Sequence, residues 1–550
     1  MSLSSWKRKL FSLNFVFVVL FGLLIYKDPF SERTLIPNFE PYPDTFFYIN
    51  PALSLIKGDG MHIVREGRVL KPNVPPLYSL TLIPIFLTRQ DPRMAYYVNV
   101  ILAFASLFLF WAILNKLFTN KLIIYLLLLL YTTNYFIYWV PTLIMAENLT
   151  LTLFLAVLFF LLSGVSKINL AATAFFAIAI YATKYANIPI SIAVAAVYLI
   201  KILFLESVGR KVYTGLVFLA ALTGYFLLLA AFEWFVRGNN LLAPILGNLS
   251  LIFQSVPQTI SEPQVSARSS WFGIEYMENN LPLYINSLIG NPNRFLWDQT
   301  PLIPKLVGTF GLIGILVGII RKKTRLPALS LLLPLSALIV FMLTFYSFDA
   351  RYIYIAIPTL LFGFGLFLSF ITERISPIKK VMVSSLILIA ITVYLITSFT
   401  RIKSQISLNL RYAETPWNYI AILKTNEYFS PVKKINGKKP VLISALPPYL
   451  VDYFSNGNYT LLPLAYQQEF RSFKEAVWGP NDYSDFIKLY TKYLNEGLDV
   501  YVSRAGLGNE GYTNHDFDTI VAAFDTKIVF SGCYDQCNIY SVQLKEKNGQ

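Results

Sequence analysis

The feature that most constrains this chain is a series of long apolar runs separated by short, basic loops. The first, "LFSLNFVFVVLFGLLIY" at residues 10–26, has no charged residue. Runs of about 17 residues or more can cross a hydrocarbon core about 30 Å thick as a helix. Only 14% of the chain is charged and 55% is hydrophobic, against about 25% charged in soluble domains. A transmembrane barrel would alternate in segments of about ten residues. The fold expected is an α-helical polytopic membrane protein.

The formal charge of +15 would suggest nucleic acid in a soluble protein. In a membrane protein the placement of charge decides, because basic short loops mark the cytoplasmic side. "PPLYSLTLIPIFLT", residues 75–88, is apolar but short; as a helix it reaches only about 21 Å. It is read as an interfacial or re-entrant helix. About eleven spans then fall near residues 10–26, 93–115, 121–139, 145–163, 168–183, 186–204, 211–236, 303–320, 326–346, 352–371 and 380–399. The predicted cytoplasmic loops hold 16 basic residues, from Lys7 to Lys380, and two acids, Glu206 and Glu373. Counting the short helix as a span would invert this pattern and put "RKKTR" (321–325) outside. The N-terminus, with Lys7, Arg8 and Lys9 before an uncleaved anchor, is expected in the cytoplasm.

Three pieces fall outside the membrane: loops near 27–92 and 237–302, and the segment after about residue 400. Residues 1–400 are read as the membrane domain and 401–550 as a small extracytoplasmic α/β domain. The latter has strand-like runs "PVLISAL", "YTLLPL", "LDVYVSR" and "TKIVFSG" with helical stretches between them. It carries both cysteines, Cys533 and Cys537, where an outer compartment permits a disulfide. A short-range bridge is expected over two free thiols. With His62 and His515 the only histidines, Ser-His-Asp catalysis and a conventional structural zinc site are poorly supplied.

Ionisable groups in or beside a membrane are costly and are functional candidates by default. Asp44 follows Pro43 at the head of "DTFFYINPALSLIKG". It suits a helix N-cap, and a cap carboxylate can also serve as a base. Glu147 begins the fourth span in "VPTLIMAENLTLTLFLAV"; it either complements the helix dipole or acts in a site. Lys184, in the tight loop "YATKYANIP", either snorkels or binds an anion. Arg351, in "FYSFDARYIYIAIP", either pairs with Asp349 or receives a phosphate. All four are predicted on one face of the bundle. A carboxylate base with cations suits reaction at a sugar hydroxyl with a phosphate leaving group.

"PDTFFYINPALSLIKGDG", "PPLYSL", "MAENLTLTL" and "ARYIYIAIP" occur in an order that resembles the GT-C superfamily of integral-membrane glycosyltransferases. That superfamily includes the protein O-mannosyltransferases and the lipid A aminoarabinose transferase. The likeness covers roughly residues 10–400. Asp44 matches the catalytic Asp, while Thr45 replaces the second acid that often follows, which argues against a shared-carboxylate or metal arrangement. Val74 and not a histidine stands directly before Pro75, so the O-mannosyltransferase version is not matched. The resemblance implies a polyprenyl-phosphate donor carrying one sugar, and a lipid, glycan or protein acceptor at the outer face of the plasma membrane. It implies inverting transfer with Asp44 as general base and Glu147 orienting the acceptor or Asp44. Lys184 and Arg351 would hold the donor phosphate. Tyr48, His62, Pro75, Pro76 and Tyr78 would belong to the acceptor or interfacial loop. No cofactor or metal is expected, since a lone Asp44 is a poor hard-cation site. The rival reading is a transporter or flippase for a lipid-linked or anionic solute; paired inverted halves, its usual mark, are not found in the sequence.

Overall fold

The protein is described by a computed structural model over residues 15–27, 44–65, 68–70, 74–238, 273–290, 302–345, 348–373, 377–410, 417–430, 438–445, 458–463, 486–505, 511–533 and 535–545. The chain opens with α1 (Phe15–Ile25). The first loop supplies α2 (Asp44–Lys57), an antiparallel hairpin of β1 (Ile63–Arg65) and β2 (Arg68–Leu70), and α3 (Leu77–Phe86). Then come α4 (Ala95–Leu117), α5 (Lys121–Thr132), α6 (Tyr135–Trp139), α7 (Glu147–Leu161), α8 (Lys167–Tyr181), α9 (Ile188–Leu205) and α10 (Val208–Arg237). Beyond these lie α11 (Tyr276–Ile289), α12 (Lys305–Ile320), α13 (Arg325–Leu343), α14 (Ala356–Glu373) and the long α15 (Pro377–Leu410).

Among the described residues, five helices are long and apolar enough to cross a membrane, and α5 with α6 makes a sixth if that bent pair is one span. Segments expected as spans at 145–163, 168–183 and 303–320 form helices of 15, 15 and 16 residues. The apolar stretch before α7 is spent on a 3-10 turn, Val140–Thr142, followed by extended backbone at Leu143. α8 starts only after Ser166, whose hydroxyl accepts from Asn169 N at 3.1 Å. The span expected over 121–139 is bent by 57°. Asn134 causes the break: its side chain caps α6 by accepting from Ile137 N and donates to the Leu302 carbonyl at 2.7 Å. The "PPLYSL" motif leads into α3, a helix of only 10 residues, about 15 Å long. Asp44 is the first helical residue of α2, one position inside the N-cap place expected for it.

The tightest packing in the bundle rests on glycine. A Cβ on Gly308 would strike the Leu288 carbonyl, on Gly311 the Leu360 carbonyl, and on Gly314 the Gly363 carbonyl. These glycines bring α12 against α11 and α14 at backbone distance, as small residues do in membrane helix pairs. Overpacking a core by extra carbons costs about 1–3 kcal/mol, and here the obstacle is backbone, which cannot rotate away. Gly314→Leu should therefore lower the melting temperature of the detergent-solubilised protein markedly. Gly215→Leu, at a glycine with nothing within 4 Å, is the control and should melt like wild type.

After α16 (Trp417–Phe429) the chain forms a five-stranded sheet of β3 (Val441–Ser444), β4 (Thr460–Pro463), β5 (Val500–Ser503), β6 (Asp525–Phe530) and β7 (Ile539–Gln543). Its order is β4-β3-β5-β7-β6, with β4, β3 and β5 parallel and the rest antiparallel. Strand alternation divides its two faces. Val441, Ile443, Val500 and Val502 pack with α17 (Phe486–Asn495) and α18 (Gly511–Ala523) through Tyr490, Phe517 and Ile520. On the other face Phe429 of α16 meets the rings of Tyr459 and Tyr501. A disulfide joins Cys533 to Cys537 in the turn between β6 and β7. Cys533 and Asp535 adopt positive φ there, 54° and 68°. His515 lies in α18.

Candidate functional site

Three turns meet at one end of the bundle. Glu147 is the first residue of α7; its N-cap, Ala146, offers no side-chain bond. Lys184 sits in extended backbone between α8 and α9 and caps the 3-10 turn Tyr185–Asn187. Arg351 lies in the 3-10 turn Ala350–Ile353, which Asp349 caps by accepting from Arg351 N at 2.8 Å. These turns are local in sequence, but only the tertiary fold brings them to one small pocket. Glu147, Lys184, Arg351, Asn187, Tyr352 and Tyr354 line it.

Each cation there has a carboxylate. Lys184 Nζ donates to Glu147 Oε1 at 3.0 Å, and its ammonium lies 4.8 Å from the Tyr352 ring centroid. Arg351 Nε donates to Asp349 Oδ2 at 2.7 Å, and Nη1 reaches Met145 Sδ at 3.1 Å. Burial alone would lower the Arg351 pKa, but the Asp349 hydrogen bond and the Glu147 and Asp349 charges outweigh it, leaving the group above its ordinary value. Glu147 is only 5% exposed. A buried charge so placed is tolerable only with a partner and hydrogen bonds. Asn187 braces the Lys184 turn by donating to Thr150 Oγ1 and Thr183 Oγ1, each at 3.0 Å.

The first loop is bolted onto this end. Leu77 N, at the start of α3, donates to the Ala182 carbonyl at 3.0 Å, two residues before Lys184. The Tyr78 hydroxyl donates to Asn99 Oδ1 at 2.9 Å. Asn99 Nδ2 donates to the Leu143 carbonyl, and Asn148 Nδ2 donates to the Asn99 carbonyl at 2.8 Å. Tyr48 of α2 meets Tyr78 edge-on, with centroids 5.0 Å apart. Pro75 and Pro76 are buried at the entry to α3. So Tyr48, Tyr78, Pro75 and Pro76 come close to the turns that carry Glu147 and Lys184. Asp44 begins α2 one turn before Tyr48; its side chain lies outside the described residues. His62 sits beyond the far end of α2 against Gly60 and does not line the pocket.

One group was overlooked in the sequence. Glu233 and Arg237 form an ion pair at the end of α10, Nη1 to Oε1 at 2.6 Å, with side chains 0% and 1% exposed. Arg237 Nη2 donates to the Val74 carbonyl at 2.7 Å, directly before Pro75. The signal was present in "AAFEWFVRG": two opposite charges four apart in an apolar run. Tyr354 was also missed, as one of 35 tyrosines. Among the described residues no group of three or more His, Cys, Asp or Glu comes together as a metal site would require.

Fold and pocket together define a helical integral-membrane protein with a charge-lined pocket at one bundle end, beside the start of α3. Solved structures it is similar to include two of ArnT from Cupriavidus metallidurans. The apo structure matches with a TM-score of 0.56 at 13% identity, over 98% of each chain. A second, bound to undecaprenyl phosphate, matches with a TM-score of 0.57 at 12% identity, over 100% of each chain. At that identity the likeness establishes a shared fold and nothing beyond it. No protein-family model and no curated protein matches the sequence.

Proposed function

We propose that this chain is a membrane glycosyltransferase that moves a single sugar from a polyprenyl-phosphate donor to a lipid, glycan or protein acceptor at the extracytoplasmic face. The observation that carries this reading is the pocket lined by Glu147, Lys184 and Arg351, in a fold shared with a protein solved bound to undecaprenyl phosphate. In the proposed reaction the Asp44 carboxylate takes the proton of the acceptor hydroxyl. That oxygen bonds to the anomeric carbon from the face opposite the phosphate. The anomeric C–O bond to phosphate breaks, its electron pair leaves with the polyprenyl phosphate, and the configuration inverts. Lys184 and Arg351 hold the phosphate as its charge grows. Their carboxylate partners keep both cations oriented before the donor arrives. Glu147 orients the acceptor or Asp44.

Residues 1–400 form the catalytic domain in this reading, and 401–550 cover the site or help recognise the acceptor. The Cys533–Cys537 disulfide supports an outer location for the latter, since such bonds persist in oxidising compartments. The eleven-span topology, with a cytoplasmic N-terminus, goes with this proposal. The test is transfer in proteoliposomes from labelled polyprenyl-phosphate sugars to membrane-extracted lipid and glycan acceptors. Label should move to the acceptor, and bare undecaprenyl phosphate should compete. Absence of transfer from every donor, together with no binding of any polyprenyl-phosphate lipid, would sink the reading.

A further inference from the structure

Two polar atoms in the pocket lack a hydrogen-bond partner among the described residues, and the reaction as drawn gives the Tyr354 hydroxyl no role. Glu147 spends Oε1 on Lys184, while its Oε2 is buried without a hydrogen-bond partner among the described residues. The Tyr354 hydroxyl is in the same position, on a side chain only 3% exposed. Both residues line the same pocket, and the carboxylate is near enough to act electrostatically on the phenol. Buried polar groups in folded proteins are paired, and each exception calls for an explanation. One acceptor and one donor in one pocket imply a ligand group that both donates and accepts.

We propose that Glu147 Oε2 and the Tyr354 hydroxyl together form a subsite for a carbohydrate hydroxyl of the donor sugar, which makes Tyr354 a specificity-determining residue. The proposal rests on the transferase reading above.

Competing groups fit worse. A phosphate placed there would face the Glu147 carboxylate, and its like charge would be repelled. An ammonium would meet Lys184 and Arg351, while Glu147 is already matched by Lys184 at 3.0 Å. An apolar group would leave both polar atoms unpaired. A hydroxyl donates to Oε2 and accepts from the phenol through one oxygen. In a polyprenyl-phosphate sugar the ring is bonded directly to the phosphate. The cations and the Glu147–Tyr354 pair can therefore read adjacent parts of one molecule.

The test compares wild type and Tyr354→Phe, full-length and in nanodiscs. Binding is measured for undecaprenyl phosphate alone and for its glucose, mannose and arabinose conjugates. Tyr354→Phe keeps the ring, so packing is retained. Wild type should bind at least one conjugate more tightly than the bare lipid. The variant should weaken that conjugate by about tenfold, as loss of a net hydrogen bond of typical strength would, and leave the bare lipid unchanged. A deoxy analogue lacking the recognised hydroxyl should bind both proteins equally, which a purely structural role would not produce. Equal weakening of bare lipid and conjugates, no weakening at all, or no preference of wild type for any conjugate overturns the subsite and leaves the transferase standing. If wild type binds none of these lipids, the transferase reading falls and the subsite with it.

Discussion

Proteoliposomes carrying Asp44→Asn should transfer sugar about 10²–10⁴-fold more slowly than wild type, the usual worth of a positioned general base. Asparagine keeps the size of the side chain and is tolerated at helix starts. The substitution should therefore leave α2 (Asp44–Lys57) and its contact with Tyr78 in place. It removes only the ability to take a proton. The loss should fall on kcat, with donor binding close to wild type, because the cations proposed for the phosphate lie on other turns. An interaction made only in the transition state lowers kcat and kcat/KM together. Glu147→Gln should behave differently. It breaks the charge match with Lys184 at 3.0 Å and leaves a buried ammonium with a neutral partner, so donor affinity and stability should shift as well. Transfer by a folded Asp44→Asn protein at the wild-type rate would remove Asp44 as the base.

Much of the bundle was legible because bilayer physics writes it into the chain. Apolar runs and basic loops set where helices must lie, and Glu147, Lys184 and Arg351 stood out because charge at a membrane is costly. The loop charges put them on one face, but their contacts in one pocket were not legible. They lie on three separate turns, and no sequence periodicity links residues 147, 184 and 351. Helix ends were less legible than helices. Asn134 reads as one polar residue in an apolar run, yet its two hydrogen bonds bend the segment. Residues 140–144 fall between two expected spans, and they fold as a 3-10 turn and extended backbone. The β1–β2 hairpin was lost because the first loop was read for interfacial helices alone, although "IVR" and "RVL" flank a Glu-Gly pair. Arg237 stands at the end of an expected span, where snorkelling is the ordinary reading of a charge. Burial to 1% exposure rules that reading out.

Arg237→Ala should destabilise the protein by about 3–5 kcal/mol, the cost of breaking a buried ion pair and leaving one charge behind. The charge left is Glu233, whose side chain is 0% exposed. The guanidinium also holds the Val74 carbonyl at 2.7 Å, so the entry to Pro75, Pro76 and α3 loses an anchor. Glu233→Ala should cost a similar amount from the other side of the pair. The double variant Glu233→Leu/Arg237→Met should recover most of the melting temperature, because replacing both charges with apolar groups removes the desolvation cost together with the attraction. It should not recover transfer to the same degree. The Val74 contact is still missing, and α3 bonds the turn that carries Lys184 through Leu77 N and the Ala182 carbonyl. Stability and activity should therefore separate in the double variant, with melting near wild type and transfer still impaired. Detergent melting curves and proteoliposome rates on the same preparations measure both. Single variants that melt like wild type would mean that the pair contributes little to the fold. A double variant with full activity would mean that the Val74 anchor does not position the site.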